Sequence, residues 1–424
     1  MGTEIIKNES KGEPGGSEEL SRLVSQVLSD VEREGDEALR KYTYKFDGVK
    51  LTKFKLSETE IEDIIAKVPA ETRELIDTNI ERIRNFCLFQ KGMYKDMEFA
   101  TDDGETILGQ KIIPIESVGV YVPGGRFPLL SSALMGIIPS KVAGVKRIVA
   151  ATPPGMNRPH PAVLYGIMRA GATEVLTVGG IQAIGALAYG TESVGKVDKI
   201  CGPGNKFVNE AKRQVFGTVG IDLLAGPSEV LVVADESASE STVAYDLLAQ
   251  AEHDVAARSC LVTTSKELAL AVNANMQRYI DSLETREILK ESWEKHGSVV
   301  LCHTIQEALE YTNQYAPEHL ELHLNQDNTK LAYEKLHNYG SLFLNESTPV
   351  VFSDKLIGTN HTLPTQTAAR YTGGLSVGAF LKILTYQKIK GDSALKNISV
   401  RAMKQSLVEG LAGHAKSAEI RIPK

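Results

Sequence analysis

Cysteine is scarce in this chain: four among 424 residues, Cys87, Cys201, Cys260 and Cys302, with no C-x-x-C pair. That spacing excludes a cysteine-rich zinc knuckle and fits a reducing compartment. Any metal must be held by His, carboxylate or amide groups. An excess of basic charge is also missing. The formal net charge is -7, which argues against a nucleic-acid partner and leaves a small molecule as the expected ligand. No apolar run reaches membrane length, because Lys141 and Lys146 interrupt the stretch after Leu129 well short of the roughly 20 residues a span needs. The opening MGTEIIKNES has no apolar core of leader length, so a cytoplasmic protein with no membrane partner is expected. No residue repeat of solenoid period is apparent.

What is present is an ordinary globular composition, 42% hydrophobic and 24% charged, spread over two to three times the usual domain length of roughly 150 residues. Two main domains are expected. Leu20, Leu23, Val24, Val27, Leu28 and Val31 form one helical stripe within residues 17–44, interrupted at Gly35, and helices are predicted again over 58–67 and 71–90. This part reads as an N-terminal helical appendage and lead-in, residues 1–105. From Thr106 onward strand-length apolar runs alternate with helical stretches: 118–122, 147–151, 174–178 and 197–201, then 229–234, 260–264, 298–302 and 341–344. Such alternation predicts an α/β fold with parallel sheets covered by helices on both faces. Two layers in tandem are expected, 106–220 and 221–390, the second carrying most of the site, with N-terminal residues packing on it. Residues 391–424 form a tail, helical over about 393–414, long enough to pack on a partner chain.

Three glycine turns adjoin predicted strands: Pro123-Gly124-Gly125, Gly202-Pro203-Gly204-Asn205 and Ala225-Gly226-Pro227-Ser228. Such turns let backbone N–H groups approach an anionic ligand, above all where a helix begins after Asn205. Tight connection is the plainer reading, and the third glycine of the dinucleotide fingerprint is missing. Ser237 and Glu240 are spaced as a capping box for a helix running to His253, on which Gln250 and His253 stand three apart. They could offer an amide oxygen and an imidazole to one metal, or simply be solvated groups near a helix end. Further candidates lie downstream, at Asp354, at Gly358-Thr359-Asn360-His361, and at Glu409 and His414. Two imidazoles, a carboxylate and an amide oxygen suit Zn²⁺, but spacing alone does not assemble residues so scattered. In Pro317-Glu318-His319 the proline aims an adjacent carboxylate and imidazole from a rigid edge. Histidine is the natural base for an alcohol proton near neutral pH. The bland alternative is a half-buried strand whose polar face, His319, Glu321 and His323, is solvated.

Taken in order, Tyr121-Val122-Pro123-Gly124-Gly125, Gly202-Pro203-Gly204-Asn205, Ala225-Gly226-Pro227-Ser228-Glu229, Gln250-Ala251-Glu252-His253-Asp254, Ala316-Pro317-Glu318-His319-Leu320, Gly358-Thr359-Asn360-His361 and Glu409-Gly410-Leu411-x-Gly413-His414 resemble the histidinol dehydrogenase family over nearly the whole chain. The resemblance implies two incomplete Rossmann-like domains and a homodimer that exchanges its C-terminal tails, so that active sites are shared. It implies one Zn²⁺ per subunit on Gln250, His253, Asp354 and His414, with Glu409 and His414 reaching the site from the opposite subunit. It further implies Glu318 and His319 as the catalytic pair, Ser228, His361 and Glu409 on the substrate, and Tyr121, Gln182 and Asn205 lining an NAD site. The implied reaction takes a primary alcohol, L-histidinol, through an aldehyde to a carboxylate: His319 removes the hydroxyl proton and Glu318 then activates water, while zinc orients the substrate.

The stretch from Thr365 to Phe380, with its Tyr371-Thr372-Gly373-Gly374 run, departs from the histidine-biosynthetic pattern. It looks more like relatives that oxidise sulfopropanediol, so a sulfonate diol is the alternative substrate, whereas Ser228, Asp254 and Ala316-Pro317 look like the histidinol enzymes. A non-catalytic binding relative is a third reading. Against it, every residue assigned to proton transfer and metal binding is present.

Overall fold

Val230 to Ala234 are apolar and fully buried in succession, and a strand that is apolar on both faces is stable only between two covering layers. The fold is built around two sets of such strands. The computed structural model describes residues 3–9, 18–124, 130–155 and 159–423, so Ser17, Gly125, Leu129 and Lys424 lie outside the described residues.

The chain begins with β1 (Glu4–Lys7), then helices over Glu18–Glu34, Asp36–Asp47, Glu58–Ile65 and Ala70–Lys91, then β2 (Met97–Ala100) and β3 (Thr106–Pro114). Next come β4 (Ser117–Tyr121), β5 (Arg147–Ala151), β6 (Glu174–Leu176), β7 (Lys199–Cys201) and β8 (Gly220–Ile221), a parallel five-stranded sheet in the order β6-β5-β4-β7-β8. β9 (Glu229–Ala234), β10 (Arg258–Thr263), β11 (Gly297–Leu301), β12 (His319–His323) and β13 (Ser341–Phe343) repeat that pattern as β11-β10-β9-β12-β13, and β1 joins the β11 edge antiparallel. Each sheet therefore starts at a central strand, winds outward on one side and crosses to the other. Its switch point lies between β4 and β7 in the first sheet and between β9 and β12 in the second. The expected α/β fold with two tandem parallel sheets is the observed one. Among the described residues, no helix is long and apolar enough to cross a membrane.

The N-terminal helices are not an appendage. Val24, Val27, Leu28 and Val31 are buried with Val149, Ile184, Leu187 and Ile200 on one face of the first sheet, while Ile61, Ile64, Ile80 and Ile83 are buried with Ile138, Ile148 and Leu164 on the other. Each such side chain contributes about 2 kcal/mol by leaving water, which ties residues 18–91 to the sheet they cover. Gly35, at φ 55, breaks the stripe into two helices as expected.

A second difference concerns residues 106–114 and 381–389. β14 (Leu381–Ile389) pairs antiparallel with β3 along its whole length, and β3 pairs with β2, giving a separate three-stranded sheet. These strands carry Gln110, Lys111, Lys382 and Lys388; β14 is largely exposed and β3 mostly half-buried, so they cannot enter a parallel sheet buried on both faces. β14 leads into the tail helices Asp392–Val408 and Ala412–Glu419, separated at Gly410, whose φ is 75. The single helix expected over 393–414 is thus two.

Just after β7, Gly202 has φ 114, and a methyl group there would lie 2.2 Å from the Tyr121 carbonyl oxygen. Replacing Gly202 with Ala is expected to cost about 2 kcal/mol or more in urea unfolding. Gly217→Ala, with a similar φ of 104 but nothing within 4 Å, should cost about 1 kcal/mol. Equal losses would show that the close approach to Tyr121 contributes nothing.

Candidate active site

The amino ends of β9 and β12 lie side by side, with His319 opposite Val230. The helix Ile305–Tyr315 ends at Ala316, which takes a left-handed φ of 53, and Pro317 follows because it cannot extend a helix. The Pro317 and Glu318 carbonyls then accept the N–H groups of Gly340 and Ser341, both at 2.9 Å. This fixes the strand entry from which the next two side chains project.

Glu318 and His319 are both buried. Glu318 Oε2 accepts the Glu229 N–H at 2.9 Å. Burial pushes the Glu318 carboxyl well above its ordinary range, with the Glu229 and Asp354 charges reinforcing the rise and the Glu229 N–H opposing it. His319 Nδ1 lies 3.1 Å from the Glu229 carbonyl oxygen. A carbonyl only accepts, so Nδ1 carries the proton and Nε2 keeps a lone pair. Nε2 is buried and has no partner among the described residues. Burial lowers this imidazole to about 4, leaving it neutral near pH 7 and suited to accept a proton. Glu229, which holds both groups, is itself raised to about 7 by burial and accepts the Gln366 N–H through Oε1.

The helix Glu240–Ala251 brings Gln250. Its cap is Ser239, whose hydroxyl accepts the Thr242 N–H. The expected Ser237–Glu240 box does not form, because the Ser237 hydroxyl and N–H are both engaged by Asp235 Oδ1. The helix stops at Ala251 rather than running to His253, which sits just beyond the cap residue Glu252. Gln250 Nε2 is 3.3 Å from His253 Nδ1, while Gln250 Oε1 is buried and unpartnered among the described residues.

Asp354 arrives on a third element. A short helix, Val350–Phe352, runs into a π-turn over Ser353–Ile357 that ends at Gly358. A methyl group on Gly358 would lie 2.9 Å from the Arg82 backbone, so this turn rests on the Ala70–Lys91 helix. Asp354 Oδ1 is 3.1 Å from His361 Nδ1, and Oδ2 is 3.8 Å from His253 Nε2. Burial favours the protonated acid, but the His361 hydrogen bond and the surrounding imidazoles outweigh it and hold Asp354 well below the usual carboxylate range. His361 Nε2 is a further buried atom with no partner among the described residues. The Asn360 amide donates to the Met135 carbonyl at 2.8 Å, tying this loop to the first half of the chain.

Glu318, His319, Gln250, His253, Asp354 and His361 therefore surround one site, with Ser228 on the turn just before Glu229. An amide oxygen, imidazole nitrogens and a carboxylate fit the donor preferences of Zn²⁺. The orphaned Gln250 Oε1 is the observation that favours such a group, since a buried acceptor left unsatisfied costs about 1–3 kcal/mol. Glu409 and His414 are not brought to this site within the chain. Glu409 is exposed and accepts from Gln405 Nε2. His414, also exposed, lies in a groove beside Ile398 and Ala402 of the preceding tail helix.

Of the residues expected for NAD, Tyr121 ends β4, Gln182 lies on the helix after β6 and Asn205 follows β7. Buried Tyr121 accepts the Gly180 N–H through its hydroxyl at 3.1 Å, and burial raises that phenol to about 12. Gln182 is fully buried, with Nε2 3.4 Å from Asp47 Oδ2 and Oε1 unpartnered among the described residues. Asn205 is exposed and caps the Lys206–Val215 helix by accepting the Phe207 and Val208 N–H groups. The expectation that this turn leaves its N–H groups open to an anion is corrected on two counts. Asn205 occupies the helix donors, and Asp222 Oδ2 takes the Gly202 N–H at 2.8 Å, its charge balanced by buried Lys212 at 2.5 Å.

Sequence reasoning missed a neighbouring cluster. Every residue of β12 is buried, so its polar face is not solvated. His323 Nε2 lies 3.3 Å from Asp246 Oδ2 and 3.5 Å from Glu321 Oε2. Alternating polar residues in a strand signal a wet face, and only the approach of Asp246, from the Glu240–Ala251 helix, to His323 reveals an enclosed polar cluster.

A family model described as histidinol dehydrogenase matches residues 12–422. A "Histidinol dehydrogenase homolog 1" of Mesorhizobium japonicum is 43% identical over 96% of this chain and 81% of its own length. A "Histidinol dehydrogenase" of Geobacillus kaustophilus is likewise 43% identical, covering 96% of this chain and 95% of the relative. The crystal structure of histidinol dehydrogenase from Elizabethkingia anophelis superposes with a TM-score of 0.90 at 35% identity, over 98% of this chain and 94% of that one.

Burial lowers His323, but the Asp246 and Glu321 carboxylates outweigh it and hold the imidazole up at about 9. A histidine whose folded value exceeds its unfolded one stabilises the fold fully below the model value of 6.5 and ceases to do so as pH rises through 9. Unfolding free energy is expected to drop by on the order of 2 kcal/mol between pH 6.5 and 10, a drop that His323→Gln should remove. An unchanged slope in that variant would mean that the histidine is neutral in the folded protein.

Proposed function

The chain belongs to the histidinol dehydrogenase family of oxidoreductases, and we propose that it performs the NAD-linked, zinc-assisted oxidation of L-histidinol to L-histidine, the last step of histidine biosynthesis. The observation that carries this reading is the lone pair on His319 Nε2: buried, neutral, and fixed in its tautomer by the Glu229 carbonyl beside the Asp354–His361 pair.

Gln250, His253 and Asp354 would hold the zinc, with His414 of the partner subunit completing the set. When bound, zinc serves as a template that orients the polar groups of the substrate. Tyr121, Gln182 and Asn205, which follow β4, β6 and β7, would line the site for NAD, which would supply the hydride acceptor for each of the two oxidations. His319 Nε2 removes the hydroxyl proton, and its Nδ1–H stays on the Glu229 carbonyl throughout. Glu318 then takes a proton from the water that attacks the aldehyde, and its raised pKa makes its carboxylate a stronger base than a solvated one. Ser228, His361 and Glu409 of the partner subunit contact the substrate. Burial of Glu318 and His319 keeps bulk water from the alcohol step.

Support for a homodimer comes from the tail. Ile398, Leu407, Val408, Leu411 and Ile420 are exposed on its helices and linker, as are Met97, Phe99, Ile383 and Leu384 on the three-stranded sheet that carries it. Apolar surface of this extent marks an interface.

A second reading, oxidation of 2,3-dihydroxypropane-1-sulfonate, is favoured by the Thr365–Phe380 stretch. Thr365 Oγ1 accepts the Gly226 N–H and the Gln366 N–H donates to Glu229, so the departure in sequence touches the turn that carries Ser228. A kcat/KM comparison on the two alcohols separates the readings. Histidinol is expected to be preferred, and turnover of the sulfonate alone would reassign the substrate.

Replacing His319 with Asn should slow NADH formation by about 10²–10⁴-fold while zinc stays bound, and retained turnover would remove its role as base. Mixing this variant with His414→Ala tests the shared site. Each alone is inactive, but reassorted dimers pair one intact His319 with the partner's intact His414, so about a quarter of wild-type activity should return. No recovery after subunit exchange would place His414 in its own subunit's site or outside any site.

A further inference from the structure

The buried cluster behind the site joins the elements that deliver it. Glu321 and His323 share with His319 one face of β12, as alternate residues of a strand must. Glu321 Oε1 accepts the Val350 N–H at 2.6 Å, at the first residue of the short helix that runs directly into the turn bearing Asp354. Glu321 Oε2 faces His323, and His323 faces Asp246. Asp246 stands one helical turn before Gln250 on the Glu240–Ala251 helix. Three side chains thus link the strand of the proposed base, the helix of the amide ligand and the turn of the carboxylate ligand. Glu321 is 1% exposed and His323 2%, with Asp246 half-buried beside them, and none of the three is in hydrogen-bond contact with the proposed ligands.

We propose that Asp246, His323 and Glu321 are positioning residues that set the distance between Gln250 and Asp354 and thereby the affinity and geometry of the metal site. The proposal rests on the zinc reading above. It differs from a second cation site in that His323 Nε2 itself stands between the two carboxylates, 3.3 Å from Asp246 Oδ2 and 3.5 Å from Glu321 Oε2.

The test uses full-length protein stripped of metal and reloaded with Zn²⁺ or, as a spectroscopic probe, Co²⁺. Glu321→Met removes both the Val350 acceptor and the partner of His323. It is expected to weaken zinc binding at least about tenfold and to alter the visible cobalt spectrum. Glu321→Gln keeps an acceptor for Val350 and should fall between it and wild type. If Glu321→Met fails to fold, Glu321→Gln and His323→Gln carry the same expectation at smaller size. Val272→Ala, in the core of the same sheet layer, controls for stability: it should lower the melting temperature while metal affinity and the cobalt spectrum stay unchanged. Wild-type affinity and spectrum in Glu321→Met would overturn the proposal, as would an equal loss of affinity in Val272→Ala. Two zinc ions per wild-type chain, one of them lost in Glu321→Met, would also overturn it and make the cluster a metal site. His253→Ala separates the two readings. If zinc is lost in it but not in Glu321→Met, only the positioning role fails; if wild type binds no zinc, both fail.

Discussion

Three buried atoms with no partner among the described residues, Gln250 Oε1, His319 Nε2 and His361 Nε2, belong to side chains grouped with His253 and Asp354, and the rest of the structure is arranged to hold them there. Each costs about 1–3 kcal/mol when left unsatisfied in the interior. Left to local preference, the side chains would turn to water. They stay because the strand entry at Pro317, the capped Glu240–Ala251 helix and the π-turn at Ser353–Ile357 are each fixed from behind. Groups held in this way give their hydrogen-bonding capacity to a cation and a polar substrate without rearranging, which is how a site is preorganised for charge.

The two sheets use opposite ends. In the first, Tyr121 at the carboxyl end of β4 meets Gly180, which opens the helix after β6, on the side where a doubly wound sheet has its usual crevice. In the second, Glu318, His319 and Ser228 meet at the amino ends of the corresponding pair. The Asn360–Met135 hydrogen bond and the seating of Gly358 on the Arg82 backbone bring the π-turn of the second half against helices of the first. Chemistry and cofactor binding can then be divided between two halves of similar winding, each keeping its own core.

The parallel sheets were legible in the sequence because each central strand is an apolar run bounded by Gly or Pro, as at Val230–Ala234. The antiparallel strands β3 and β14 were not, since two segments separated by more than 260 positions pair through backbone groups that leave no periodic mark, and both alternate too weakly to stand out. Helix boundaries near the site misled for a local reason: Ser237 has the residue type of a cap, yet Asp235 engages it first. Glu318, His319, Gln250 and His253 could be singled out by residue type and spacing, whereas Asp354, His361 and His414 needed the family resemblance, being joined to the others only by folding. A solvated polar face stayed open as the alternative for β12 because a strand's pattern says which residues share a face, and nothing about what covers it.

The most direct test of this account is the number of NADH molecules formed per molecule of L-histidinol consumed by the zinc-loaded protein. A site with a neutral base at His319 and a water-activating carboxylate at Glu318 carries the alcohol through the aldehyde to the acid, so the account predicts two. One NADH with aldehyde released would contradict the role given to Glu318, and none at all would contradict the histidinol reading itself.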